Sequence, residues 1–163
     1  MKKSLEKNFN IMLAGFLASL AMFLFIYIGI NITGLAPFNV PPSSAFLHNL
    51  GIEGRGYALL LHFCYGTLWS YVFVYTFEED VSISKAIILS LILWIFMMLV
   101  YSPLIGWGIF GMGYASHLRP GHPLFLSNSF SYIAITLALH LVYGFTLGYL
   151  NSRWLRMQYQ QHR

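Results

Sequence analysis

An all-α, polytopic membrane protein with four transmembrane helices is the fold class this sequence predicts, on three observations. First, 58% of the 163 residues are hydrophobic and only 9% are charged, with a mean hydropathy of +0.66. A soluble domain carries about 25% charged residues, so this chain has too few charges to cover a water-facing surface. Second, four apolar stretches are each long enough to span a bilayer, since a helix rising about 1.5 Å per residue needs about 20 residues to cross a hydrocarbon core of about 30 Å. Third, the pattern His-x-x-Tyr-Gly-x-x-x-x-Tyr at residues 62–71 recurs at residues 140–149, inside two of those stretches.

The spans are expected at about 11–33, 57–77, 84–103 and 129–151. Each must be helical, because backbone groups facing lipid have no partner outside their own segment. The first follows Met1, Lys2 and Lys3 as a signal peptide would. Its apolar run from Ile11 to Ile32 is too long for a signal and has no Ala-x-Ala cleavage site, so it reads as a retained anchor. Ser82 and Ser84 are the candidate caps of the third span, and Pro103 marks its end or a kink. Ser127, Asn128 and Ser129 offer a cap for the fourth.

Lys2, Lys3, Lys7, Lys85, Arg153, Arg156 and Arg163 fall on one side of this topology, and Arg55 and Arg119 on the other. The positive-inside rule then places both termini in the cytoplasm of a bacterial inner membrane. The same positions account for the net charge of +4 without nucleic acid: the basic residues end apolar runs rather than forming a patch. The acidic triplet Glu78, Glu79 and Asp80 reads as a solvated turn.

Two outer connections remain, residues 34–56 and 104–128. Pro37, Pro41 and Pro42 preclude a regular helix in the first. The second sets Gly106, Gly108, Gly111 and Gly113 among Trp107, Phe110 and Tyr114. It is too apolar for a solvated loop and too glycine-rich for a fifth span, so an interfacial or partly re-entrant segment buried against protein is expected. Together the two form a small apolar cap over one transmembrane domain.

The repeated motif supplies the candidate site. Two-helix hairpins of the same orientation imply a pseudo-twofold axis along the membrane normal, although the first and third spans carry no matching signal. His62, Tyr65, Gly66 and Trp69 share one helical face, as do His140, Tyr143, Gly144 and Gly148. Gly66-x-x-x-Ser70, Gly144-x-x-x-Gly148 and Gly15-x-x-x-Ser19 are small-x-x-x-small patterns that let helices approach closely in lipid. An ionisable residue inside a membrane is a functional candidate because placing it there costs free energy. The two imidazoles allow either bis-histidyl ligation of a haem b iron, with the glycines making room for the porphyrin, or hydrogen bonds that fix helix register, worth about 0.6 kcal/mol each.

A second histidine set, His48, His117 and His122, lies in the cap and would converge on a metal if the two connections pack together. Asn31, near the outer end of the first span, is the main other polar group. No Ser-His-Asp order, phosphate-binding glycine loop or His-Glu-x-x-His is present, and no Asp or Glu lies inside a span. These absences argue against an enzyme, a proton pump and an ion-coupled transporter. One cysteine, Cys64, excludes an internal disulfide.

The His-x-x-Tyr-Gly motifs of the second and fourth spans, with Asn39-Val40-Pro41-Pro42 after the first, resemble uncharacterised four-helix bacterial inner-membrane proteins, a group that implies the fold and no activity. The expected function is therefore a non-catalytic accessory or scaffold protein, either a subunit of a larger membrane complex or a homo-oligomer. A haem b electron carrier is the alternative, and a small transporter or a lipid-binding protein using the cap is the third expectation.

Overall fold

The computed structural model describes the backbone of residues 2–160 and the side chains of residues 4–78 and 80–154. Among the residues counted for orientation, Lys2, Lys3, Arg156 and Arg163 lie outside the described side chains, as does Glu79.

Four helices are long and apolar enough to cross a membrane: Ser4–Asn31, Arg55–Phe77, Ile83–Leu104 and Ser129–Trp154. They belong to α1 (Lys2–Asn31), α3 (Arg55–Phe77), α4 (Ile83–Phe96) with its continuation α5 (Ser102–Leu104), and α6 (Ser129–Gln160). Much of their outward surface is large and apolar, with Leu60, Leu68, Ile88 and Ile92 all exposed. That surface suits acyl chains and not water.

The ends follow the local chemistry. Ser82 caps α4, its Oγ accepting from the Lys85 N–H at 3.4 Å, and Asn128 caps α6, its Oδ1 accepting from the Ser131 N–H at 2.9 Å. Lys85 is also paired with Asp80 across the 78–82 turn. Before Pro103 the third span widens into a π-helical turn, Met97–Tyr101, in which the Ser102 N–H reaches back to the Met97 carbonyl. Proline lacks an N–H, and its ring presses on the carbonyl four residues earlier. One wider turn relieves that pressure without breaking the span.

The expectation that prolines exclude a helix from residues 34–56 is corrected. Pro42–Asn49 forms helix α2 with Pro42 in its first turn. There a missing N–H has no partner to lose and the fixed φ suits the helix, so proline starts this element rather than stopping it. Helix α2 lies over the end of the bundle opposite the termini. Tyr101 Oη donates to the Pro42 carbonyl at 3.1 Å, Phe46 stacks on Tyr101 at 5.5 Å, and Asn49 Nδ2 donates to the Leu104 carbonyl at 3.3 Å.

The second connection buries only part of itself: Ile105, Trp107, Gly111, Ala115 and Leu126 pack inward, while Leu104, Ile109, Met112 and Tyr114 are exposed. Trp107 is fully buried, stacks on Phe38 at 5.5 Å, meets Tyr132 edge-on at 5.2 Å, and donates from Nε1 to the Leu124 carbonyl. The path to that pocket needs glycine. A Cβ at Gly108, where φ is +73°, would fall 2.5 Å from Gly113 Cα, where the chain closes a turn with the Gly113 N–H bonded to the Trp107 carbonyl at 2.8 Å. The two connections join through the Ser127 N–H to the Pro37 carbonyl (2.8 Å) and through Asn39 Nδ2, which donates to the carbonyls of Pro120 (2.6 Å) and His122 (2.9 Å).

Helix α1 packs against α3 and α6, and α6 packs against α4. Helices α3 and α4, although consecutive, make little contact. The core therefore falls into two clusters. One is around Trp107, Tyr132 and Met98 at the cap; the other is around Phe73, Ala86 and Leu147 near the termini.

Candidate functional site

The hairpin crossings fix the site, and small residues fix the crossings. Gly66 of α3 lies against Ser19 of α1, and Gly144 of α6 lies against Ser90 of α4. A Cβ at Gly144 would come within 2.8 Å of Ser90 Cβ, and one at Gly15 within 2.7 Å of Ser70 Cβ. Ser19 and Ser90 satisfy their hydroxyls on their own helices, Ser19 Oγ donating to the Gly15 carbonyl and Ser90 Oγ to that of Ile87, both at 2.8 Å, whereas Ser70 Oγ donates across to the Ile11 carbonyl of α1 at 2.7 Å. Lipid tails are as apolar as leucine, so helices in a bilayer associate through packing and hydrogen bonding, and smooth glycine–serine faces supply close contact.

From these crossings the helices separate toward the cap and enclose a cavity of about 310 Å³ at the boundary between the two core clusters. Its walls are mainly apolar, including Met22, Leu61, Leu93, Met97 and Leu139, and α2 contributes Pro42, Ser43 and Phe46 as a roof. Tyr65 of α3 and Phe96 of α4 also line it while remaining 45% and 51% exposed. The cavity is thus open sideways where α3 and α4 fail to meet.

Both motif histidines line this cavity, held in different ways. His62 Nε2 donates to the Ser19 carbonyl of α1 at 3.0 Å. His140, 6% exposed, donates from Nδ1 to the Thr136 carbonyl of its own helix at 2.8 Å. A carbonyl accepts only, so these bonds fix the proton on Nε2 of His62 and on Nδ1 of His140 in the neutral rings. Tyr143 Oη donates to the Gly66 carbonyl at 2.7 Å and closes the floor, whereas its counterpart Tyr65 lines the open side and stays half-exposed. Gly144 is absent from the cavity wall; it is taken up by Ser90 and Ala86, and so provides helix contact rather than ligand space.

A pseudo-twofold would make the α3–α4 contact the counterpart of α1–α6. Helices α1 and α6 pack closely and α3 and α4 do not; this asymmetry leaves the cavity open on one side.

The cap histidines are only partly assembled. The His48 and His122 rings meet edge-on at 6.1 Å, but His117 stacks on Tyr114 at 5.2 Å. No group of three His, Cys, Asp or Glu able to hold a metal occurs among the described residues. His122 Nδ1 already accepts the Leu124 N–H at 3.1 Å, which fixes the neutral ring's proton on Nε2.

Sequence reasoning missed several members of the site. Thr136 and Tyr101 line the cavity and Ser90 fills the second crossing, with no motif to mark them. Asn31 is exposed and bonds the Tyr27 carbonyl, whereas Asn151 is the buried amide, donating to Ser70 Oγ (3.3 Å) and the Leu147 carbonyl (3.1 Å) and so tying α6 to α3. Its place on the motif face, seven residues beyond Gly144, was the available signal.

No protein-family model, curated protein or solved structure matches this chain.

Proposed function

We propose that this chain is a non-catalytic membrane protein that works by binding: it holds an apolar or amphiphilic small molecule in the cleft between α3 and α4, as an accessory to a larger membrane complex or to further copies of itself. The observation that carries this reading is the cavity of about 310 Å³, roofed by α2 and open sideways between Tyr65 and Phe96. Ligand sites are typically apolar concavities of about 300–1,000 Å³ with a few placed polar groups. Here those groups are imidazoles and hydroxyls. No carboxylate or lysine lines the cavity, so its polar groups are neutral hydrogen-bonding ones set in an apolar wall. The Lys/Arg asymmetry of the sequence supports a bacterial inner membrane with both termini cytoplasmic. A recurring hairpin would account for the like placement of Gly66 on Ser19 and of Gly144 on Ser90.

A haem b reading draws on His140, whose Nδ1 donation leaves Nε2 as the lone-pair nitrogen, as a carbonyl-oriented metal-ligating histidine requires. Against it, His62 Nε2 is occupied by the Ser19 carbonyl, and Gly144, one of the two glycines that would clear space for a porphyrin, lies against Ser90 and is absent from the cavity wall.

Protein purified in mild detergent should be colourless and yield, on solvent extraction and mass spectrometry, a lipid-class molecule in near-stoichiometric amount. Leu61→Trp, which plugs the cleft, should remove that molecule. A Soret band lost in His140→Ala would overturn the reading in favour of haem. An extract unchanged by Leu61→Trp would reject the cleft as the site.

A further inference from the structure

Beyond the cleft lies a second, larger cavity of about 520 Å³, bounded by the cap-side half of α1, by α2 and by the start of α3. The two meet at Ile26, Ser43 and His62, which line both. Their linings differ in character. The cleft is apolar, whereas the second cavity carries Glu53, Arg55, His48, Asn31 and Asn39.

Glu53 and Arg55 are both exposed and are not paired with each other, Lys85–Asp80 being the ion pair found among the described residues. A carboxylate and a guanidinium in one vestibule, each free of the other, offer both signs of charge at once. Arg55 opens α3, whose first turn holds no acidic side chain and no side-chain cap, so within that turn no carboxylate is set against the guanidinium. A guanidinium grips a phosphate by charge-assisted, bidentate hydrogen bonds, and a carboxylate takes an ammonium.

Resting on the reading of the cleft as a binding site, we infer that the occupant is a phospholipid with a zwitterionic phosphoethanolamine head: the head sits in the Glu53–Arg55 vestibule, and one acyl chain passes beneath α2, beside His62, into the cleft. The polar half of such a molecule matches the polar cavity and its apolar half the apolar one. An apolar ligand without a head would leave the charged vestibule without a role. A purely anionic head would face Glu53 as a like charge.

Native mass spectrometry of the full-length protein in detergent tests this, with 1-palmitoyl lysophosphatidylethanolamine, 1-palmitoyl lysophosphatidylglycerol and monopalmitoylglycerol as probes. The phosphoethanolamine probe should bind at least about tenfold more tightly than monopalmitoylglycerol, and Arg55→Gln should remove about that factor, the size of one charged hydrogen-bonding contact. Glu53→Gln should shift preference toward the phosphatidylglycerol probe. Leu61→Trp should weaken all three, with Met22→Trp on the α1 wall as a second plug if the first fails to fold. Equal binding of the three probes, with Arg55→Gln and Glu53→Gln silent, would overturn the headgroup assignment; a plug that still abolished binding would leave the cleft reading standing. If the plugs also change nothing, both readings fall.

Discussion

At the scale of single residues, this bundle is tuned by atoms that are missing. Gly144 has no Cβ because the space is taken by Ser90 and the Ala86 carbonyl, the latter 2.9 Å from where that carbon would stand. Gly144→Leu forces α4 and α6 apart and should cost about 1–3 kcal/mol or more, the range for overpacking a filled interior. Gly121 supplies the control: nothing lies within 4 Å of its Cβ position and its φ is ordinary. Thermal melting in detergent, followed by circular dichroism, should show a clear loss for Gly144→Leu and almost none for Gly121→Leu. Equal behaviour of the two would remove the close crossing from the account.

At the scale of elements, helix ends are the most readable part of the chain. Asn128 accepts a backbone N–H at the start of α6, so Asn128→Ala should destabilise the protein by about 1 kcal/mol; an unchanged melting midpoint would mean that the cap bond adds nothing. The four spans and the Ser82 cap are legible because length, hydropathy and capping chemistry are local. Pro103 was legible only as an end or a kink, since a π-helical turn is one of several ways to accommodate a proline. Helix α2 was misread because proline both breaks and begins helices, and its position relative to the first turn decides which. Within the site, Gly15, Ser19, Gly66 and Gly144 carried a readable pattern. The different hydrogen bonds of His62 and His140 did not, because identical motifs do not specify which neighbour each face meets.

Across the whole molecule, the two connections act as one cap built around the buried Trp107. Its indole packs on Phe38 and Tyr132 and bonds the Leu124 carbonyl, joining both connections to α6. Truncating a fully buried tryptophan costs about 3–5 kcal/mol. Trp107→Ala should therefore lower the melting midpoint and speed amide exchange through residues 105–128 while leaving the α1–α3 crossing protected. Exchange that rises equally everywhere would show that cap and spans unfold as one unit. The gap between α3 and α4 could not be read at this scale either: a short linker ordinarily implies packed neighbours, and only the full set of contacts reveals that these two stand apart.

That separation has a mechanical consequence. A bundle with one seam unsealed by protein shares responsibility for its width with the bilayer, so lateral pressure from surrounding chains sets how far the seam gapes. If the cleft holds a ligand as proposed, thickness or curvature of the host membrane is expected to control its occupancy without any change in sequence.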